Sequence, residues 1–141
     1  MECSIKWRGE GVAFSAHTGS GHALDMDGAV EAGGKNQAPR PMELMLAGLG
    51  GCTAFDVVTI LTKGRHAVSG CEVRVTAERA DHDPKVFTRI QLDYTVSGTN
   101  LRPEVVERAV ALSKEKYCSA SIMLAKTAEI THHITITDHI D

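Results

Sequence analysis

The feature that most limits what this chain can fold into is a long apolar segment in its middle. It runs from Leu44 to Leu61 and is almost as long as the roughly 20 residues that a membrane span needs. Thr53, Asp56, Thr59 and the pair Gly50-Gly51 interrupt it. We therefore predict a buried helix of a soluble protein, with Pro41 in its first turn, a C-terminal end near Lys63 and no membrane partner.

The glycines of this helix indicate that something packs closely against it. Apolar residues occupy nearly all of its faces, which is typical of a central, buried helix. Gly48, Gly50 and Gly51 each cost about 1 kcal/mol relative to alanine in a helix interior. Close approach of another backbone is the simplest compensation, and an intimate dimer would supply it.

The segments on either side of this helix predict an α+β fold. Alternating apolar residues predict a three-stranded antiparallel meander before it, at residues 3–7, 12–16 and 24–26, and residues 27–40 predict an exposed loop. After it we expect further antiparallel strands and helices. These are a hairpin at 71–79 and 87–96, a helix from an Asn100 N-cap to about Lys116, a short helix at 122–126 and a last strand at 130–136. Runs of strands followed by runs of helices favour α+β over a parallel sheet.

Length and charge narrow the classes of function. A chain of 141 residues is the size of one domain, spanning 1–141. The net charge is -3 and no basic cluster occurs, so nucleic acid and anionic membrane are poor partners. The first residues, MECSIKWRGEG, lack the order of a secretory signal, which predicts a reducing cytoplasm.

The cysteine and histidine patterns predict neither a metal nor another cofactor. The four cysteines form no CxxC pair, so structural zinc is not expected. His132 and His133 are adjacent on a predicted strand, so their side chains point to opposite faces. They are therefore not expected to bind one metal ion together, although His139 is near in sequence. We expect one of the two to be partly buried and the other exposed. Cys3 and Cys71 lie at strand positions whose side chains are predicted to point inward, and we expect both to pack in the interior.

Cys52 and Cys118 are the candidate reactive thiols. Cys52 lies in the middle of the apolar helix, whereas Cys118 begins the short helix near residue 122, where a helix N-terminus would stabilise a thiolate. They are 66 residues apart, so spacing does not say whether they meet. Taken alone, each is more simply a small residue that fills the core.

Four motifs make the chain similar to a known family. They are Ala38–Leu44 (APRPMEL), Gly50–Cys52, Asp56–Val58 and Glu115–Ser119 (EKYCS). Together they resemble the OsmC/Ohr family, specifically its YhfA-like branch, and the likeness spans essentially the whole chain.

The resemblance implies an intertwined homodimer of OsmC-like α+β protomers with paired sites at the interface. In active members a cysteine thiolate attacks a hydroperoxide, so Cys52 would be the attacking thiol and Cys118 the resolving thiol. The implied partners are a small-molecule hydroperoxide and a dithiol reductant, and the implied activity is a thiol-dependent peroxidase.

The chain departs from the family pattern at two positions. Active members carry a Glu ten residues before the reactive cysteine, and that position is Met42, with Glu43 one residue later. The Arg that this Glu holds falls near Asp25, which has the opposite charge. Loss of the cation removes a force that lowers a thiol pKa. The alternative is therefore a non-catalytic module that binds a small ligand, or one in which the cysteines only pack.

Four other residues could tune the thiols. Arg40 could replace the missing cation, or it could be a solvated loop residue. His22 could also replace that cation, or it could be a hydrogen-bonded surface histidine. Glu43 could hold Arg40, cap backbone donors or reach solvent. Asp56, four residues after Cys52, is expected on the same helix face, where it needs hydrogen-bonding partners.

Overall fold

The computed structural model describes residues 1–138 and divides the chain into two compact units. The first comprises Met1–Leu46, and the second begins at Ala47. His139, which we considered as a metal ligand, lies outside the described residues.

The first unit contains the expected meander. Strands β1 (Cys3–Trp7), β2 (Phe14–Thr18) and β3 (Ala23–Met26) form an antiparallel sheet in that order. β2 begins two residues later than the apolar alternation predicts. Every residue of β1 is exposed, so the prediction that Cys3 packs inward is wrong. The alternation correctly marks a strand, but in the single chain neither face of that strand is covered.

The loop after β3 is organised by a buried carboxylate. Asp27 is only 4% exposed. Its side chain accepts hydrogen bonds from the backbone N–H groups of Gly28 (2.7 Å), Lys35 (3.2 Å) and Gln37 (3.3 Å). A short 3-10 turn, Val30–Ala32, lies between these donors. The prediction of an exposed loop is confirmed for most of residues 27–40, but the buried carboxylate of Asp27 that orders the loop was not anticipated.

The second unit is built on a three-stranded sheet. β4 (Ala67–Arg79) and β5 (Phe87–Thr99) form the expected antiparallel hairpin, and each strand is longer than predicted. The last strand, β6 (Glu129–Asp138), pairs with β5 in parallel, which corrects the expectation of further antiparallel strands. The reason is that helices connect β5 to β6, and a crossover of that length can return the chain in the same direction.

Three α-helices lie within residues 1–138. α1 spans Pro41–Lys63 as predicted. α2 spans only Pro103–Leu112, because the next five residues, Ser113–Tyr117, form a π-helical turn. α3 spans Ser119–Leu124 and starts three residues earlier than expected.

The predicted N-cap of α2 is wrong. Asn100 adopts a left-handed backbone conformation, with φ of 54°, immediately after β5. Asparagine tolerates this conformation better than most residues, so it serves a turn here. Arg102 occupies the position that precedes the helix.

The core of the second unit lies between the sheet and the helices. Buried apolar side chains come from β5, from α1 and from α2: Ile90, Leu92, Tyr94, Val96, Leu49, Val57, Leu61, Val106, Ala109 and Val110. Gly50 on α1 is part of this contact, because a Cβ there would lie 3.1 Å from Val75 Cγ2. The close neighbour of this glycine is thus a side chain of β4 rather than a backbone.

The prediction that α1 is buried on nearly all of its faces is wrong for the single chain. Only one stripe of the helix is buried. Phe55 is 71% exposed and Val58 is 38% exposed on the opposite side. Gly48 and Gly51 have no atom of another described element within 4 Å of where a Cβ would lie. By length and hydropathy α1 also resembles a membrane span, as core helices of soluble proteins do, and only 28% of its most apolar window is buried.

Candidate functional site

The fold brings Cys52, Cys118 and Asp56 together. The two Sγ atoms and a carboxylate oxygen of Asp56 all lie within 4.8 Å of one another. Cys52 and Asp56 share one face of α1 because they are four residues apart. Cys118 arrives from the other end of the sequence, between the π turn and α3. Both sulfurs are free thiols, Cys52 half-buried and Cys118 fully buried.

The π turn positions Cys118. The Cys118 N–H donates to the carbonyl oxygen of Ser113, five residues earlier, over 2.7 Å. Cys118 then acts as the N-cap of α3, and its Sγ accepts a hydrogen bond from the Ser121 N–H at 3.4 Å. The π turn therefore places the Ser113 side chain and the Cys118 sulfur at the same site. π turns often occur at functional sites, and no sequence pattern that we considered predicts this one.

The surroundings of Cys118 favour its neutral thiol. Burial raises the pKa of Cys118, and its hydrogen bond with Cys52 raises it further. The hydrogen bonds from Ser121 act in the opposite direction but do not compensate. The expectation that a helix N-terminus stabilises a thiolate at Cys118 is wrong, because α3 has six residues and the sulfur is removed from water.

A chain of hydroxyl groups connects Asp56 to the core. Ser113 Oγ donates to Asp56 Oδ2 at 2.9 Å, and Thr53 Oγ1 lies 2.8 Å from Ser113 Oγ. Tyr94 OH lies 2.6 Å from Thr53 Oγ1. Since each hydroxyl has one proton and Ser113 gives its own to Asp56, Thr53 must donate to Ser113 and Tyr94 to Thr53. All three hydroxyls thus donate in one direction, towards the carboxylate.

Sequence reasoning missed the three hydroxyl residues that lead to Asp56, namely Thr53, Ser113 and Tyr94. Thr53 was visible as a polar interruption of the apolar helix, which is the only signal that the sequence offered. Ser113 lies within the predicted helix that follows Asn100, and Tyr94 lies within the predicted strand at 87–96, but no local pattern marks either as a site residue. Burial raises the pKa of Tyr94 to about 12, so its phenol stays protonated at neutral pH.

The remaining predicted site residues lie in the first unit, where each has local partners. Arg40 Nη1 lies 3.3 Å from Glu43 Oε1, and the Arg40 N–H donates to the same oxygen at 3.0 Å. Glu43 thus both holds Arg40 and caps a backbone donor. The pKa of Glu43 is lowered mainly by the hydrogen bond from the Arg40 backbone N–H and next by the hydrogen bond from the Arg40 guanidinium.

His22 and Asp25 also have neighbours in the first unit. His22 Nδ1 lies 3.1 Å from Ser20 Oγ at an exposed position, which fits the hydrogen-bonded surface alternative. Asp25, near the position where the family pattern has Arg, lies 3.6 Å from Arg8 Nη1 and accepts from Ser15 Oγ at 3.2 Å. Its charge is balanced locally.

The prediction that one of the adjacent histidines of β6 is partly buried is wrong, because both His132 and His133 are exposed. His132 Nδ1 lies 3.0 Å from Lys114 Nζ. Partial desolvation of the ring, followed by the nearby Lys114 charge, lowers the pKa of His132.

The fold and the site define a class: a small α+β protein with two free thiols from distant segments held beside a carboxylate. Residues 34–133 match the family described as OsmC-like protein. Protein YhfA of Escherichia coli K12 is 48% identical over 132 residues, which cover 94% of this chain and 95% of that protein. The chain belongs to the OsmC-like family, in its YhfA-like branch.

Solved structures agree with this assignment. A structure described as structural genomics has a TM-score of 0.88 at 44% identity and covers 99% of this chain and 100% of its own. An organic hydroperoxide resistance protein OsmC from Legionella pneumophila has a TM-score of 0.70 at 18% identity, with 95% of each chain covered. At that identity the likeness concerns the fold alone.

Proposed function

We propose that this protein reduces hydroperoxides with Cys52 as the attacking thiol and Cys118 as the resolving thiol. The observation that carries the proposal is the juxtaposition of two free sulfurs, within 4.8 Å, from segments 66 residues apart. Forming a disulfide needs the two sulfurs to approach to about 2.05 Å. The Legionella structure with this fold is described as an organic hydroperoxide resistance protein.

The different burial of the two sulfurs supports this division of roles. Cys52 is half-buried and can be reached by a small molecule, whereas Cys118 is fully buried and its pKa is raised. The Cys52 thiolate attacks the terminal oxygen of ROOH, which breaks the O–O bond and gives a sulfenic acid and, after protonation, ROH. The Cys118 thiol then attacks that sulfur, and the disulfide forms with release of water. A dithiol reductant restores both thiols.

Single-turnover oxidation tests the proposal. The reduced protein is mixed with one equivalent of cumene hydroperoxide or tert-butyl hydroperoxide, and the products are mapped by mass spectrometry. We expect a Cys52–Cys118 disulfide in the unchanged protein, a trapped sulfenic acid on Cys52 in Cys118→Ser, and neither product in Cys52→Ser. Cys71→Ser, at another half-buried thiol, is the matched control and should behave as the unchanged protein. Oxidation of Cys3 with Cys52 left reduced would refute the proposal.

A second candidate is a module that binds a small apolar or thiol-bearing ligand without turnover. Asp56 favours it, because a carboxylate beside a sulfur opposes a thiolate and no ion pair among residues 1–138 involves Asp56. Such a module should bind its ligand with unchanged affinity in Cys52→Ser. Loss of ligand affinity in that variant would exclude this candidate.

The exposed face of α1 supports a homodimer as the working form. Phe55 and Val58 are apolar and exposed, and Gly48 and Gly51 on the same helix leave room for close approach. Glycines let two helices pack with their backbones near each other, which would offset the helix-forming penalty described above. Without a partner, Phe55 and Val58 would remain exposed to water.

Sedimentation tests the homodimer. Phe55→Arg should convert the protein to monomers because it places a charge in the centre of this face. Val30→Arg is the matched control, since Val30 is 67% exposed in the first unit and Phe55 is 71% exposed. A monomeric unchanged protein, or a dimer that survives Phe55→Arg, would contradict this arrangement.

A further inference from the structure

The juxtaposed thiols and carboxylate have the composition of a metal-ligand set as well as that of a redox pair. Cys52, Asp56 and Cys118 each offer one ligand atom, and these atoms lie within 4.8 Å of one another. Tetrahedral zinc binds sulfur at about 2.3 Å and carboxylate oxygen at about 2.0–2.2 Å, which places neighbouring ligand atoms roughly 3.5–3.8 Å apart. The three groups need to converge only slightly to reach that geometry.

The hydrogen bonds around these groups hold them as metal ligands are usually held. Ser113 Oγ donates to Oδ2 of Asp56, which leaves Oδ1 free of any bond from that hydroxyl. The Ser121 N–H donates to the Cys118 sulfur, and such a donor stabilises a charged thiolate. Metal-binding carboxylates commonly have this kind of outer hydrogen-bond partner, which fixes their orientation.

Charge provides the reason for a cation to bind. The site holds one carboxylate and two ionisable thiols, and none of the ion pairs within residues 1–138 neutralises Asp56. Two sulfur ligands select a thiophilic ion such as Zn²⁺ over Mg²⁺ or Ca²⁺, which prefer oxygen. On binding, both thiols release their protons to solvent and coordinate as thiolates.

The geometry points to a binding site for a zinc-class dication formed by Cys52, Asp56 and Cys118. Three protein ligands leave the fourth tetrahedral position open to water or to a small exogenous ligand, unlike a closed structural site. The absence of CxxC spacing does not exclude such a site, because its ligands come from two distant segments. The site uses the same sulfurs as the proposed peroxide chemistry but does not require that chemistry. Metal and disulfide exclude each other.

Cobalt titration of the reduced, chelator-treated full-length protein tests the site. Co²⁺ gives visible ligand-field bands whose intensity reports tetrahedral geometry, and thiolate ligands add charge-transfer absorption in the ultraviolet. We expect one Co²⁺ per chain with both signatures, displaced by Zn²⁺ and not by Mg²⁺. Absence of the charge-transfer absorption would overturn the inference.

Substitutions identify the ligands. Cys118→Ser should abolish most of the charge-transfer absorption, and Asp56→Asn should weaken Zn²⁺ binding, measured by competition with a chromophoric chelator. Ser113→Ala should weaken it by about 10–100-fold, as expected for an outer hydrogen-bond partner. The control, Cys71→Ser, should bind as the unchanged protein, and circular dichroism verifies that each variant is folded. Binding that is unaffected by both Cys118→Ser and Asp56→Asn would place the ion elsewhere and refute the site.

A separate measurement keeps this inference distinct from the proposed function. Disulfide formation with cumene hydroperoxide is followed in metal-free protein and in protein saturated with Zn²⁺. We expect zinc to slow the formation of the Cys52–Cys118 disulfide at least tenfold. Oxidation that is equally fast in both samples would contradict zinc at these sulfurs, whereas a metal-free protein that forms no disulfide would contradict only the proposed function.

Discussion

Two aspartates show how differently the two units use a carboxylate. Asp27 in the first unit accepts three backbone N–H groups and is 4% exposed. Asp56 in the second unit accepts one hydroxyl and lies beside two sulfurs. A carboxylate whose oxygens are occupied by backbone donors stabilises a loop, whereas one with an oxygen left free can interact with neighbouring groups. The comparison teaches that the two carboxylates differ both in the number of hydrogen bonds that they accept, three against one, and in burial, since Asp56 is half-buried.

Matched isosteric substitutions should separate the two aspartates most strongly. Asp27→Asn places an amide N–H₂ group against backbone donors, so we expect a large fall in the midpoint of thermal unfolding. Asp56→Asn keeps an amide oxygen for Ser113, so its midpoint should change little while the behaviour of the thiols changes. Equal losses of stability in the two variants would remove the distinction.

The hydroxyl chain that ends on Asp56 should contribute measurably to stability. Thr53→Val preserves the shape of the side chain but leaves the buried Tyr94 hydroxyl without its acceptor. We expect the free energy of unfolding in urea to fall by about 1–3 kcal/mol. Thr62→Val, at an exposed position of the same helix, should cost less than about 0.5 kcal/mol. Equal costs would show that the buried hydrogen bonds add nothing.

The two units should also respond to opposite extremes of pH. Backbone N–H donors hold the pKa of Asp27 below its usual value, so its contribution is present at neutral pH and is lost as pH falls below about 4. Burial raises the pKa of Cys118, and raises that of Tyr94 to about 12. Their contributions are present at neutral pH and are lost as pH rises above about 8.5 for the thiol and about 10 for the phenol.

Unfolding measured as a function of pH checks this contrast. Asp27→Asn should flatten the acid side of the stability curve and leave the alkaline side unchanged. Tyr94→Phe should reduce the slope between about pH 10 and 12 and leave the acid side unchanged. A Tyr94→Phe curve with an unchanged alkaline slope would contradict the raised pKa.

The smallest effect is expected at Arg40. Its guanidinium is paired with Glu43 and its side chain is 42% exposed, so Arg40→Gln removes a solvated surface ion pair. Such pairs contribute about 0–1 kcal/mol. We expect the rate of Cys52 oxidation by cumene hydroperoxide to change less than twofold in stopped-flow experiments. A loss of tenfold or more would instead identify Arg40 as the cation that the family pattern requires.

Periodicity was sufficient to predict most of the fold but little of the site. The bounds of α1 follow from Pro41 and the apolar segment, and the three antiparallel pairings follow from local alternation, which the sequence displays directly. The parallel pairing of β6 does not, because direction depends on how the crossover helices return the chain. Likewise, the convergence of Cys52 and Cys118 was implied by family resemblance, whereas the roles of Thr53 and Ser113 required tertiary contacts that no spacing rule provides.

The distance between the two sulfurs depends on the number of residues in the π turn, Ser113–Tyr117. Its five-residue hydrogen bond sets where Cys118 leaves the helix, whatever side chains lie between the two ends. Most substitutions in this turn would therefore spare the geometry. Removal of a single residue would restore ordinary helical register and swing the following sulfur by about 100° around the axis, away from its partner.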